Sequence, residues 1–138
     1  MSSIAEGNAN LVRSFIDRVW NELRPDAAAA FLAADYRDHA YLPGDRLGLE
    51  NAIGELGRAL PDARSSIEDL IASGDRVAVR IVLRGTHLGE FRNHPASGVA
   101  VEVKVTRWYR LADGKIAEHW ALFDTASFLR QIGSHPKS

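Results

Sequence analysis

The first half of the chain places hydrophobic residues at helical spacing. In segment 9–23 the apolar positions fall on one helix face, namely Leu11, Phe15, Ile16, Val19, Trp20 and Leu23. This pattern predicts an amphipathic helix. Pro25, at an early helical position, predicts a second helix over 25–36. Segment 37–48 is rich in turn residues and predicts a loop, and segment 49–61 predicts a third helix that ends at Pro61.

The second half alternates apolar and polar residues instead. One predicted strand ends at the turn Gly74-Asp75, and alternating strands follow over 76–87, 99–111 and 115–123. Ala112-Asp113-Gly114 predicts a hairpin turn, and segment 125–133 predicts a closing helix that ends at Gly133. Helices followed by strands indicate the α+β class, with helices packed on a curved antiparallel sheet. We expect a single domain over 1–138, ordered over about 9–133, with a disordered tail. A cavity between the sheet and the helices would suit a small ligand.

Composition narrows the classes of function. The 138 residues carry a net charge of -1, with 17 basic and 18 acidic residues, so we expect no nucleic-acid partner. No segment is apolar for long enough to span a membrane, and the start shows no secretory signal. The chain has no cysteine, which excludes disulfides, zinc thiolate sites and cysteine nucleophiles. These features predict a cytoplasmic protein.

Asp124, between the last strand and the last helix, is the first candidate for chemistry. It could cap the helix, which would lower its pKa through backbone N–H bonds. It could instead lie in an apolar pocket, where lost hydration raises a carboxyl pKa towards the range useful for proton transfer. Alternation puts Asp124 on one side of the strand with Trp120 and Leu122, and we predict that this side faces the interior. His119 would then lie on the outer face.

His39 and Arg107 are the next candidates. His39 lies in the loop 37–48, where a neutral imidazole could relay a proton or hold a carbonyl oxygen, or simply bond to nearby backbone. Arg107 shares a strand side with three valines and Tyr109, and a charge in an apolar row is costly unless it has a partner or a use. It could stabilise an enolate or bind a carboxylate. It could instead pair with a buried acid or face a partner subunit.

Four aromatic residues complete the predicted substrate-binding set, although aromatic side chains at such spacings also fill ordinary cores: Phe15, Trp20, Tyr36 and Trp120. We predict no metal site, because His87 and His94 have no cysteine or close-spaced carboxylate pair beside them. The chain also has no serine nucleophile elbow, phosphate loop or dinucleotide fingerprint.

Two segments resemble the SnoaL-like polyketide cyclases of the nuclear transport factor 2-like superfamily. They are PDARSSIEDLIASGDRVAVRIVLRGTHLGEF (61–91) and RWYRLADGKIAEHWALFDTASFLRQIG (107–133). The resemblance implies a cone-shaped α+β barrel with a deep apolar pocket, and a homodimer formed through the sheet. It also implies ring closure of a small hydrophobic carbonyl ligand by intramolecular aldol chemistry without a cofactor. An Asp at the position of Asp124 would be the general acid/base, and a His at the position of His39 is common in the family.

The resemblance leaves other functions open. The loop RNHPASG (92–98) departs from the family's usual run, so the substrate does not follow from the family. The same scaffold also carries isomerases, hydrolases and binding modules without catalysis, and fold alone does not choose among them. In an isomerase, Tyr36 or Tyr41 would supply the neutral hydrogen-bond donor.

Overall fold

The computed structural model describes residues 3–133. Helix α1 (Ile4–Phe15) begins at a capping box formed by Ser3 and Glu6 and continues as a π-helical segment, Ile16–Asn21. A 3₁₀ helix (Pro25–Phe31) follows, and α2 (Arg46–Ala59) begins at the Asp45 cap. Helix α3 (Thr125–Gly133) ends the described chain, so the predicted disordered tail lies outside the described residues. No helix in residues 3–133 is long and apolar enough to cross a membrane.

The five strands are β1 (Leu32–Asp38), β2 (Arg64–Ser73), β3 (Arg76–Thr86), β4 (Ala100–Ala112) and β5 (Lys115–Phe123). They form one sheet in the order β1-β5-β4-β3-β2. All neighbours are antiparallel except β1, which runs parallel to β5. The α+β class is confirmed, and the sheet is curved and open rather than closed into a barrel.

The first strand corrects the sequence prediction. The second helix was predicted over 25–36, but only Pro25–Phe31 is helical, and Leu32–Asp38 is an edge strand. Leu32, Tyr36 and Asp38 are buried there against the sheet. Pairing with β5 therefore overrides the helix preference of the alanine-rich segment.

The inward row of β4 is confirmed. Val101, Val103, Val105, Arg107 and Tyr109 are all buried, and the exposed fraction of Arg107 is only 5%. The residues between them face outwards, as alternation requires. The sheet therefore carries a cationic side chain on its apolar inner face.

A bulge in β5 reverses the predicted faces of that strand. Leu111 pairs with Ile116, but Arg110 pairs with Glu118, so β5 has one extra residue at this point. Every later residue of β5 is shifted by one position, which changes its face. His119 is consequently buried at 1% exposure, whereas Leu122 is 78% exposed. The predictions that the side of Leu122 faces the interior and that His119 lies outside are both wrong.

Candidate functional site: a buried polar chain that ends at a cavity

Asp38, at the end of β1, is the start of a buried hydrogen-bond chain. Its Oδ2 accepts from the Tyr36 hydroxyl at 2.6 Å and from His119 Nδ1 at 3.1 Å. Its Oδ1 accepts from the backbone N–H groups of Ala40 and Tyr41 at 2.9 and 3.0 Å. The parallel pairing of β1 with β5 aligns Asp38 with His119. All four bonds are local or cross-strand, so the fold fixes this carboxylate firmly.

Arg107 continues the chain from His119 towards the cavity. Its Nη1 lies 3.2 Å from His119 Nε2 and donates to the Tyr41 hydroxyl at 3.1 Å. Because arginine only donates, His119 Nε2 must accept, and the proton of a neutral His119 is on Nδ1, facing Asp38. The Arg107 guanidinium carbon lies 4.0 Å from the centre of the Trp20 ring, a cation–π contact.

The environment sets the charge of each member of the chain. Burial alone would raise the pKa of Asp38, but hydrogen bonds from His119, Tyr36 and the Ala40 N–H outweigh it and hold the pKa below the ordinary value. Burial lowers the pKa of His119, the bond to Asp38 opposes this, and the charge of Arg107 lowers it again. Burial also acts to lower the pKa of Arg107, yet its tyrosine neighbours and Asp38 leave that pKa raised. The buried hydrogen-bond chain therefore consists of the Asp38 carboxylate, the neutral His119 imidazole and the Arg107 guanidinium cation.

A cavity of about 60 Å³ lies at the Arg107 end of the chain. Its apolar wall consists of Trp20, Ala52, Leu56, Leu83, Phe91, Val105 and Phe123. Its polar lining consists of Tyr41, Glu55, Ser65, Arg92 and Arg107. A cavity with apolar walls and a few converging polar groups is the usual form of a small-molecule site, although typical sites are several times larger.

Two of the sequence-predicted site residues, Trp20 and Arg107, belong to this site. Arg107 has no carboxylate within ion-pair distance in the described part of the chain, and Asp38 reaches it only through His119. Tyr36 lies behind the site, because its hydroxyl is bound to Asp38. Phe15 packs in the core against Phe31 and Tyr109, away from the cavity lining.

The other three predicted site residues do not line the cavity. Trp120 stacks on His39 with ring centres 4.7 Å apart, and His39 Nε2 lies 2.7 Å from a Glu118 carboxylate oxygen. Asp124 is exposed, and its Oδ1 accepts the Ser127 backbone N–H at 3.0 Å, as a helix cap does. The acid–base roles of Asp124 and His39 stay predictions from the sequence, and their surroundings here are polar and solvated.

Sequence reasoning missed Asp38 and placed His119 on the wrong face. One usable signal was present, since Tyr36 and Asp38 occupy alternate positions and would share a buried side of a strand. The helix predicted over 25–36 and the loop predicted over 37–48 both conflict with that alternation. Tyr41 was considered only as a possible donor in an isomerase, and it lines the cavity. Among residues 3–133, no group of three or more His, Cys, Asp or Glu residues is placed to hold a metal ion.

The open, curved α+β sheet with helices against its inner face is a fold shared with solved SnoaL-like polyketide cyclases. The chain belongs to the SnoaL-like polyketide cyclase family, whose sequence model matches residues 10–132.

Solved structures agree with this assignment. TsrD from Streptomyces laurentii is 25% identical, with a TM-score of 0.84 over 97% of this chain and 99% of that one. AclR from Streptomyces galilaeus is 25% identical, with a TM-score of 0.85 over 97% and 100%. IdmH from Streptomyces antibioticus is 28% identical, with a TM-score of 0.80 over 91% and 98%. None of the curated proteins matches the chain.

Proposed function

We propose that the protein is a cofactor-independent enzyme that moves protons on a small hydrophobic carbonyl compound, as in an aldol-type cyclisation. The observation that carries this proposal is the Arg107–Tyr41 pair, which lines the cavity and is held from behind by His119 and Asp38. A guanidinium and a hydroxyl that converge in an apolar cavity can bind a carbonyl oxygen and stabilise the enolate that forms from it. Membership of the SnoaL-like family supports the same chemistry.

Each residue of the buried hydrogen-bond chain, and Trp20 beside it, has a distinct role in this proposal. Tyr41 Oη accepts a bond from Arg107, so its own proton is free to bind the ligand's oxygen. The negative charge of Asp38, transmitted through His119, keeps the Arg107 cation in place and charged. Trp20 covers one face of the guanidinium and Nη1 is bound to His119 and Tyr41, so Nε and Nη2 are the donors left for the ligand. The donors are therefore fixed before the ligand arrives, which is what electrostatic catalysis requires.

The size of the cavity limits the ligand. At about 60 Å³ it is below the roughly 300–1,000 Å³ of sites for drug-sized ligands. A ligand with several rings needs a larger cavity, which an outward movement of the loop that carries Phe91 and Arg92 would provide. The Phe91 ring packs on Phe128 at 4.5 Å between ring centres, so that contact must break. Small ketones are the ligands that suit the site as it stands.

The test is deuterium exchange of the α-protons of acetone in D₂O, followed by NMR. Removal of an α-proton forms the enolate, and redelivery of a deuteron from solvent records each event. We expect exchange above the buffer rate, with losses of about tenfold or more in Tyr41→Phe and in Arg107→Lys. Wild-type exchange no faster than buffer would contradict the proposal.

A second candidate function is a binding module without catalysis. It is favoured by the exposure of Asp124 and His39, which leaves the predicted acid–base groups outside the cavity. In that case acetone or a larger ketone would bind at Arg107 without any α-proton exchange. The isomerase and hydrolase alternatives would need the same donors and a group that accepts a proton.

We also infer that the protein forms a homodimer through the outer face of the sheet. Trp108 and Leu122 lie there at 46% and 78% exposure, next to Trp120 and Thr106 in the cross-strand pairs. Large exposed apolar side chains grouped on one face are typical of an interface. A cytoplasmic location stays a prediction from the sequence.

A further inference from the structure

The proposed function needs a group that accepts a proton from the ligand's carbon, and the polar chain does not supply one. Arg107 and Tyr41 present donors to the cavity. The lone pair of His119 Nε2 already receives Arg107 Nη1, and His119 is buried behind the cavity lining at 1% exposure. A base must therefore reach the cavity from another element of the fold.

Glu55 is the carboxylate that lines this cavity. Helix α2 buries Ile53, Leu56 and Ala59 against the core, and this places Glu55 at the edge of the buried face. Its side chain is half-buried, and within residues 3–133 it takes part in no hydrogen bond and no ion pair. By contrast Glu50, on the same helix, pairs with Arg46 at 3.4 Å.

An unpaired carboxylate next to apolar walls is costly unless it has a use. Its oxygens keep free lone pairs that can take a proton. Two cationic residues, Arg92 and Arg107, share the cavity lining with Glu55, but neither lies within ion-pair distance of it. The cavity therefore has donors that favour an enolate oxygen and an acceptor that is free for a proton, which together are the two halves of enolisation.

We propose that Glu55 is the general base of the reaction, an inference that rests on the proposed function. Its carboxylate takes a proton from the carbon next to the carbonyl, and the C–H electrons form the carbon–carbon double bond of the enolate. The carbonyl π electrons move to oxygen, where Arg107 and Tyr41 stabilise the charge. In D₂O the neutral Glu55 carboxyl exchanges its proton for a solvent deuteron and returns that deuteron to carbon. In a cyclisation it gives its proton to the alkoxide formed by carbon–carbon bond formation. No oxidant, reductant or metal takes part.

The experiment compares Glu55→Gln with a matched control, Glu50→Gln, in acetone deuterium exchange. The glutamine at 55 keeps the size of the side chain and breaks no bond in the fold, so circular dichroism should be unchanged. We expect at least a ~100-fold loss of exchange in Glu55→Gln, the usual contribution of a positioned base, and wild-type rates in Glu50→Gln. Acetone binding, followed by the NMR shift of its labelled carbonyl carbon, should persist in Glu55→Gln.

The outcomes separate this inference from the proposed function. If Glu55→Gln exchanges within about twofold of wild type while Tyr41→Phe and Arg107→Lys are slow, Glu55 is not the base but the cavity remains the reaction site. If all three variants exchange as wild type does, or if wild type does not exchange, both proposals fail. A loss in Asp124→Asn together with full activity in Glu55→Gln would assign the base to Asp124 instead.

Discussion

Replacement of Asp38 by asparagine tests whether the buried Asp38 carboxylate, as a hydrogen-bond acceptor, stabilises the fold. The side chain is 4% exposed and accepts four hydrogen bonds, two on each oxygen. In Asp38→Asn the amide oxygen can keep the two backbone bonds. The amide nitrogen then faces the Tyr36 hydroxyl and His119 Nδ1, both of which donate. Two bonds to a charged acceptor are lost unless their donors reorient, and the buried Arg107 loses its counter-charge.

The magnitude follows from those losses. Hydrogen bonds to charged groups contribute about 1.5–3 kcal/mol each, and rotation of the hydroxyl and a tautomer change recover part of that. We expect Asp38→Asn to lower the free energy of unfolding by about 2–4 kcal/mol, a large share of the ~5–15 kcal/mol typical of a domain. At about 3 °C per kcal/mol for a chain of this size, Tm should fall by about 6–12 °C.

Urea denaturation followed by circular dichroism measures this change, and Asp45→Asn is the matched control. Asp45 is an exposed helix cap that accepts the Leu47 N–H at 3.0 Å, and asparagine caps helices as well as aspartate. We expect a change below about 0.5 kcal/mol there. Equal, small effects in the two variants would refute the claim that the Asp38 carboxylate is a key buried acceptor.

Four further predictions use the same protein. Because burial lowers the pKa of His119, the folded state binds fewer protons than the unfolded state below about pH 6.5. The free energy of unfolding should therefore stay level above that pH and fall below it, and a urea midpoint at about pH 5 that equals the midpoint at about pH 7 would contradict this. Asp124→Ala should lower the free energy of unfolding by about 1 kcal/mol, because a helix cap is lost, and it should leave acetone exchange unchanged. A loss of exchange would instead support the predicted acid–base role of Asp124. Leu122→Glu should convert a dimer to a monomer in sedimentation, and a wild-type monomer would remove the dimer proposal. Phe91→Ala should widen the cavity and let 2-acetylnaphthalene bind at least tenfold more tightly by fluorescence quenching, and an unchanged Kd would show that Phe91 does not limit ligand size.

Much of the fold could be predicted because the signals are local. The alternation of β3 and β4, the hairpin turn at Asp113-Gly114 and the helix that ends at Gly133 depend on neighbouring residues, and the structure has all of them. Asp113 and Gly114 both have positive φ, as this turn requires. The inward position of Arg107 followed from alternation within one strand.

The rest of the site could not be predicted, because it depends on two non-local events. The first is the bulge in β5, since an unbulged hairpin would place Trp120, not Ala121, opposite Arg107. The second is the parallel pairing of β1 with β5, which brings Asp38 to His119 across 81 residues of sequence. No pattern along β1 or β5 alone reveals either event. The face of β5 predicted to line the pocket is therefore the outer face. The partner of His119, Asp38, lies in a segment whose pattern predicts helix and loop.

The most direct test of the proposed site is the ¹³C NMR shift of acetone labelled at its carbonyl carbon, titrated into the protein. If Tyr41 and Arg107 bind the oxygen, their donated bonds polarise the carbonyl, and its resonance should move downfield on binding. Tyr41→Phe should bind with a smaller shift, and Arg107→Lys with a smaller one still. A bound resonance that is the same in wild type and both variants, or no binding at all, would contradict the assignment of this cavity as the carbonyl site.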